Sequence, residues 1–176
     1  MKSGDIKNSR GQIWIETVIY ILVAFAIIGL VLAFVKPKIQ EVQDKALIDQ
    51  SLGVVKDIDA VISEVAQGGI GNKRKLELGV QKGILKIDGE NDQIFFEIES
   101  KYAYSEPGEV VHYGSTEVFT KEMGNINRIT LTNNYTYNIT YKGSDQIKPI
   151  NKASTPYTLF ITNKGGDPLE IDLELD

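Results

Sequence analysis

Residues 17–35 read TVIYILVAFAIIGLVLAFV, nineteen consecutive positions without a charge, and this run constrains the chain more than any other feature. As a helix rising 1.5 Å per residue it covers roughly 28 Å, close to the roughly 30 Å of bilayer hydrocarbon. Lys36 and Lys38 follow it, and Trp14 and Tyr20 stand where amphipathic rings anchor at the near interface. A helix buried in a soluble core is the competing reading. A secretory signal fits less well, because its apolar region is shorter and ends at small residues, whereas this run ends in Lys36-Pro37-Lys38. Cleavage after the run is not expected.

The remainder is polar. With 176 residues and 42% apolar content, the chain has room for one folded head plus an accessory segment, but not comfortably for two independent domains. Beyond residue 35 there are 16 basic against 22 acidic side chains. That balance argues against a nucleic-acid partner, which needs a basic face to neutralise phosphates. Cysteine is absent, which excludes disulfides, thiolate metal sites and cysteine nucleophiles. The single histidine, His112, has no HExxH or nucleophile-elbow pattern around it, so no enzyme, cofactor or metal site is expected.

At the front, Arg10-Gly11-Gln12-Ile13-Trp14-Ile15-Glu16 sets a small residue after a short basic leader and a carboxylate just inside the apolar helix. A carboxylate in mid-membrane costs on the order of 2.5 to 3.5 kcal/mol on insertion scales, less near an interface, so Glu16 asks for a partner charge. The alternative account of Glu16 is a carboxylate near a helix N-terminus, favoured by the macrodipole and reaching interfacial water.

This segment resembles the class III signal sequence of archaeal type IV pilin-like proteins, over residues 8 to 40. The resemblance implies cleavage by a prepilin peptidase between Gly11 and Gln12, which makes Glu16 the fifth mature residue. It also implies that Glu16 pairs with the new N-terminal amine of a neighbouring subunit during filament assembly. The physics is coherent, since a buried carboxylate and a buried ammonium are each costly alone and tolerable together. One departure is Pro37, which falls later than the proline often found in bacterial pilins. Charge does not orient the span, because Lys2, Lys7 and Arg10 before it match Lys36, Lys38 and Lys45 after it. Leader processing on the cytoplasmic side, implied by the resemblance, places the C-terminal part outside.

After the span, Ile39, Val42, Ala46, Ile48, Leu52, Val55, Ile58, Ile62 and Val65 recur mostly every three or four residues, which predicts an amphipathic helix. Glu41 and Lys45 add an i,i+4 pair, and Gly68-Gly69 supplies a stop. Pro37 predicts a kink or brief break between the two helical parts. If continuous, residues 12–66 make a rod roughly 80 Å long.

From residue 75 the pattern turns to short alternating segments with Gly, Asn, Asp and Pro between them, which predicts antiparallel strands. Nine are expected, at 75–80, 83–88, 93–102, 109–113, 116–120, 128–132, 136–141, 157–162 and 169–175. In the last, Leu169, Ile171, Leu173 and Leu175 form a buried face and Glu170, Asp172, Glu174 and Asp176 a wet one. The expected fold is α+β, a long N-terminal hydrophobic helix followed by an antiparallel β-sandwich-like head. The expected organisation is a leader at 1–11, a membrane-spanning or filament-core helix at 12–36, an amphipathic helix at 37–70 and the head at 71–176.

Two Asn-Xaa-Thr sequons begin at Asn134 and Asn138, where alternation with Tyr135, Tyr137, Ile139 and Tyr141 predicts both asparagines on a polar face, open to N-glycosylation. Chance occurrence in an Asn- and Thr-rich strand is the alternative. Asp88, Glu90, Asp92 and Glu99 imitate a calcium loop, but Gln93 stands where the sharp-turn glycine belongs, so a polar hairpin turn is expected. Gly68, Gly69 and Gly71 follow a helix, not a strand, and read as cap and linker instead of a phosphate cradle. Residues 105–108, Ser-Glu-Pro-Gly, read as a turn, and His112 as a structural strand residue.

Two functions compete. The first is a structural subunit of a type IV pilus-like surface filament serving adhesion or surface contact, major or minor, with itself or related pilins, prepilin peptidase and membrane lipids as partners. It would have one membrane span before assembly and sit at the cell surface afterwards. The second is a non-polymerising, single-span anchored β-domain acting as a binding module. Only the first requires a mature chain beginning at Gln12 and a role for Glu16.

Overall fold

The computed structural model describes residues 9–176, with side chains from residue 14 onward. Residues 1–8 of the expected leader lie outside the described residues, and Gly11 and Gln12, the expected cleavage site, are described only as helix backbone. One α-helix, α1 (Ser9–Gln67), precedes ten strands. These are β1 (Lys73–Leu78), β2 (Ile84–Asp88), β3 (Gln93–Ser100), β4 (Val110–Tyr113), β5 (Thr116–Met123), β6 (Ile126–Asn134), β7 (Asn138–Tyr141), β8 (Ile147–Asn151), β9 (Tyr157–Gly165) and β10 (Glu170–Leu175). The fold is α+β, with a mostly antiparallel β domain. The chain divides into two compact units, Met1–Gln40 and Glu41–Asp176.

Pro37 does not interrupt the helix, although a proline inside a helix removes one hydrogen bond and costs about 3 kcal/mol or more. The expected break there is not found. The amphipathic stripe is shorter than its spacing suggested. Ile39 and Val42 are exposed, and burial begins at Ile48 and continues through Leu52, Val55, Ile58, Ile62 and Val65. Those six recur at intervals of four and three, so they line one face.

The strands form two sheets. One has the order β1-β9-β10-β7 and the other β4-β5-β6-β3-β2-β8. Every pairing between the named strands is antiparallel except β10 with β7, which is parallel. A single apolar core joins the α1 stripe to Ile139, Leu159, Ile161, Ile171 and Leu173 of the first sheet and to Leu85, Ile87, Ile94, Phe96, Ile98, Val118, Ile129 and Leu131 of the second.

Nine strands match the expected segments in place, with altered ends. The tenth, β8, was not expected because Pro149 interrupts its pattern. It occupies the edge of its sheet, where a missing N–H can face solvent. The expected strand over 136–141 is also revised. β6 ends at Asn134 in the six-stranded sheet, a bend follows, and β7 starts at Asn138 in the four-stranded sheet.

Candidate functional site

α1 begins with the most unusual surface of the chain. All sixteen large apolar side chains from residue 14 to residue 35, among them Trp14, Phe25, Ile27 and Phe34, are exposed. The helix is long and apolar enough to cross a membrane. Leaving a large aliphatic or aromatic side chain in water forfeits about 1.5 to 3 kcal/mol, so the stretch forgoes on the order of 30 kcal/mol unless something covers it. That exceeds the roughly 5 to 15 kcal/mol by which whole domains are stable. Lipid or other apolar helices are the covers of matching chemistry.

Glu16 lies within this surface. Its Oε1 accepts a hydrogen bond from the Tyr20 hydroxyl one turn later, at 3.3 Å. A phenol hydroxyl satisfies one lone pair of the carboxylate and brings it no positive charge.

Within the Glu41–Asp176 unit, acidic residues of α1 fasten separate parts of the β domain. Asp44 accepts Lys82 Nζ at 2.5 Å, the Lys101 N–H at 2.7 Å and the Ser100 hydroxyl at 3.2 Å. Burial pushes its carboxyl up, but these donors and the Lys82 charge outweigh burial and hold it below the usual carboxylate value. Further along, Asp49 accepts the Tyr104 hydroxyl at 2.6 Å, Asp59 the Ser115 hydroxyl at 2.6 Å and Glu64 Arg74 Nη2 at 2.6 Å. Burial first, then the Asp49 hydrogen bond and charge, raise the Tyr104 phenol. The helix end is closed by Asn163 of β9, whose Nδ2 donates to the Val65 and Ala66 carbonyls at 3.1 and 3.4 Å. Its Oδ1 accepts the Gly165 N–H at 2.8 Å. Sequence reading missed all five residues, since each is polar and belongs to no apolar period.

The acidic turn after β2 is a closed hydrogen-bond knot. Asp88 is buried and accepts the Glu90 and Asn91 N–H groups, Asn91 Nδ2 and Gln93 Nε2, at 2.8 to 3.2 Å. Burial raises its carboxyl, yet the four donors bring it below the usual value. Asp92 accepts the Ile139 N–H at 2.8 Å, and Glu99 faces Arg128 at 3.3 Å. Among the described residues no group of three or more His, Asp or Glu side chains is placed to hold a metal ion. His112 stands on the edge strand β4, exposed and opposite Glu117. A concavity of about 580 Å³ over β2 and β3 is lined by Lys82, Lys86, Arg128, Glu97 and Glu99. Lys86 pairs with Glu97 at 2.6 Å and Arg128 with Glu99 at 3.3 Å, while Lys82, paired with Asp44, and Lys152 leave the wall itself net basic.

The sequons differ. Asn134 and Thr136 are exposed, whereas Asn138 is half-buried and Thr140 is buried at 3% exposure. The polar face expected for the last strand is also interrupted. Asp172 is 8% exposed, because β10 lies between β9 and β7 and Thr140 and Lys164 cover its carboxylate.

No protein-family model, curated protein or solved structure matches the chain.

Proposed function

We propose that the chain is a structural subunit of an archaeal type IV pilus-like surface filament, serving adhesion or surface contact. In this reading a prepilin peptidase removes the leader between Gly11 and Gln12, α1 leaves the membrane to pack against α1 of other subunits, and the β head faces outward. The observation that carries it is the apolar surface over residues 14–35, uncovered on every side and interrupted by the single carboxylate of Glu16. Lipid covers such a surface in the precursor, and neighbouring helices cover it in the filament. The carboxylate then finds the amine of Gln12 on an adjacent subunit, which turns an isolated buried charge into a pair and sets the register between subunits.

The deciding measurement is the N-terminal sequence of protein taken from its native membranes and cell surface. Gln12 is expected as the first residue. Retention of the first eleven residues removes the amine and leaves an anchored β-domain that does not polymerise. Glu16→Ala is expected to be cleaved normally yet to be depleted from filaments at least tenfold. Filaments of unchanged abundance would sink the charge-pairing step.

A further inference from the structure

We propose that the two sequons are not equivalent and that Asn134 alone is an N-glycan attachment site, Asn138 being a silent sequon locked by the fold. This rests on the head being extracytoplasmic, as in the function proposed above.

The chemistry sets the requirement. A carboxamide nitrogen is a poor nucleophile because its lone pair is delocalised into the carbonyl. A transferase has to grip the amide, and it reads the hydroxyl two residues on, so both groups must be reachable together. In the reaction Asn134 Nδ2 attacks the anomeric carbon of a saccharide carried on a polyprenyl phosphate or diphosphate. The new C–N bond forms as the sugar C–O bond to phosphate breaks, the lipid phosphate leaves with that electron pair, and the amide nitrogen gives one proton to a base. No oxidation or reduction occurs.

The Asn134 sequon meets the requirement. Asn134 is the last residue of β6, Thr136 lies in the bend beyond it, and both side chains are exposed. Tyr135 between them is held from beneath, its N–H donating to the Asp92 carbonyl at 2.9 Å and its ring packed against the core. The tripeptide therefore presents its amide and its hydroxyl outward from a fixed middle residue.

The Asn138 sequon fails at each position. The Asn138 N–H donates to the Leu169 carbonyl at 2.8 Å, and β7 runs in a parallel ladder along β10. Ile139 is fully buried and its N–H donates to Asp92 Oδ1 at 2.8 Å. The Thr140 hydroxyl lies 3.1 Å from Asp172 Oδ1 and 3.2 Å from Glu170 Oε1, so its proton is already committed to a carboxylate. Freeing this hydroxyl means pulling β7 out of the sheet and taking Ile139 and Tyr141 out of the core.

The test is glycopeptide mapping by mass spectrometry of the full chain purified from the organism that makes it. Intact cells are treated in parallel with a membrane-impermeant amine reagent. A saccharide mass on the peptide at Asn134, with an unmodified Asn138, is expected. Asn134→Gln and Thr136→Ala should each abolish the whole increment, the second while leaving Asn134 in place, and Asn138→Gln should leave it intact. A bare Asn134 on a head whose lysines are labelled from outside overturns this inference and leaves the proposed function standing. Sugar on Asn138 that persists in Asn134→Gln overturns it as well, because transfer would then precede the locking of β7. A head protected from the reagent overturns the proposed function and this inference with it.

Discussion

Two stretches of the same helix behave in opposite ways. Over residues 14–35 every large apolar side chain is exposed, while over residues 48–65 six of them are buried on one face. Helical propensity does not separate the two, since both are continuous α1. The arrangement of apolar residues does. A helix apolar around its whole circumference cannot be satisfied by one partner, whereas a stripe is satisfied by a single packed surface. The second stretch finds that surface in its own chain. The first has to find its cover in lipid or in other molecules, and this is why the functional proposal lives there.

The sharpest way to break this contrast is to separate the two stretches. The unit Glu41–Asp176, produced alone, is expected to stay soluble and unfold in one cooperative transition, whereas the whole chain sediments with membranes. A 41–176 fragment that aggregates would mean that the core is incomplete without the first stretch.

Next in size is a matched pair of truncations read by denaturant unfolding of the β domain in detergent. Phe96 is fully buried and Ile27 is 56% exposed. Phe96→Ala is expected to cost about 3 to 5 kcal/mol, and Ile27→Ala less than about 0.5 kcal/mol. Similar losses in both would show that the exposed stretch also packs on the head.

Asn163→Ala removes the side chain that closes the end of α1, leaving the buried Val65 carbonyl with only the Gly68 N–H at 3.2 Å, the half-buried Ala66 carbonyl without its Asn163 donor, and the Gly165 N–H without its side-chain acceptor. A loss of about 2 kcal/mol is expected, because an unpaired buried polar group costs about 1 to 3 kcal/mol. An unchanged midpoint would mean that water replaces the amide there.

The smallest effect is on pH dependence. Asp44 and Asp88 both have folded-state values below their ordinary one. A depressed carboxylate contributes its stability above the unfolded value, near 3.9, and loses it as pH falls through the folded value. The head is therefore expected to hold a flat unfolding midpoint from neutrality to about pH 4 and to weaken below it. Asp44→Asn combined with Asp88→Asn should flatten that acid limb. An equally steep limb in the double variant would assign acid sensitivity to other groups.

Local pattern carried much of this fold because strands and helices repeat at short, fixed intervals. The α1 stripe and nine of the ten strands follow from periods of 3.6 and 2 residues. β8 escaped because Pro149 hides its alternation, and only its place at a sheet edge makes the proline harmless. Glu16 stood out in sequence because a carboxylate in an apolar run is conspicuous. Asp44, Asp49, Asp59, Glu64 and Asn163 did not, since a polar residue among polar neighbours has no local sign of the distant group it will bind.

By itself, the sequence determined that this chain carries an apolar helix needing an external cover, with one carboxylate in it, joined to a polar β-rich head. Those properties are set by side chains close along the chain. Tertiary structure alone decided that the stripe begins at Ile48, that Asp172 and Thr140 are covered, and that two sequons four residues apart belong to different sheets. Burial and pairing depend on which distant segments meet, and no local period records that.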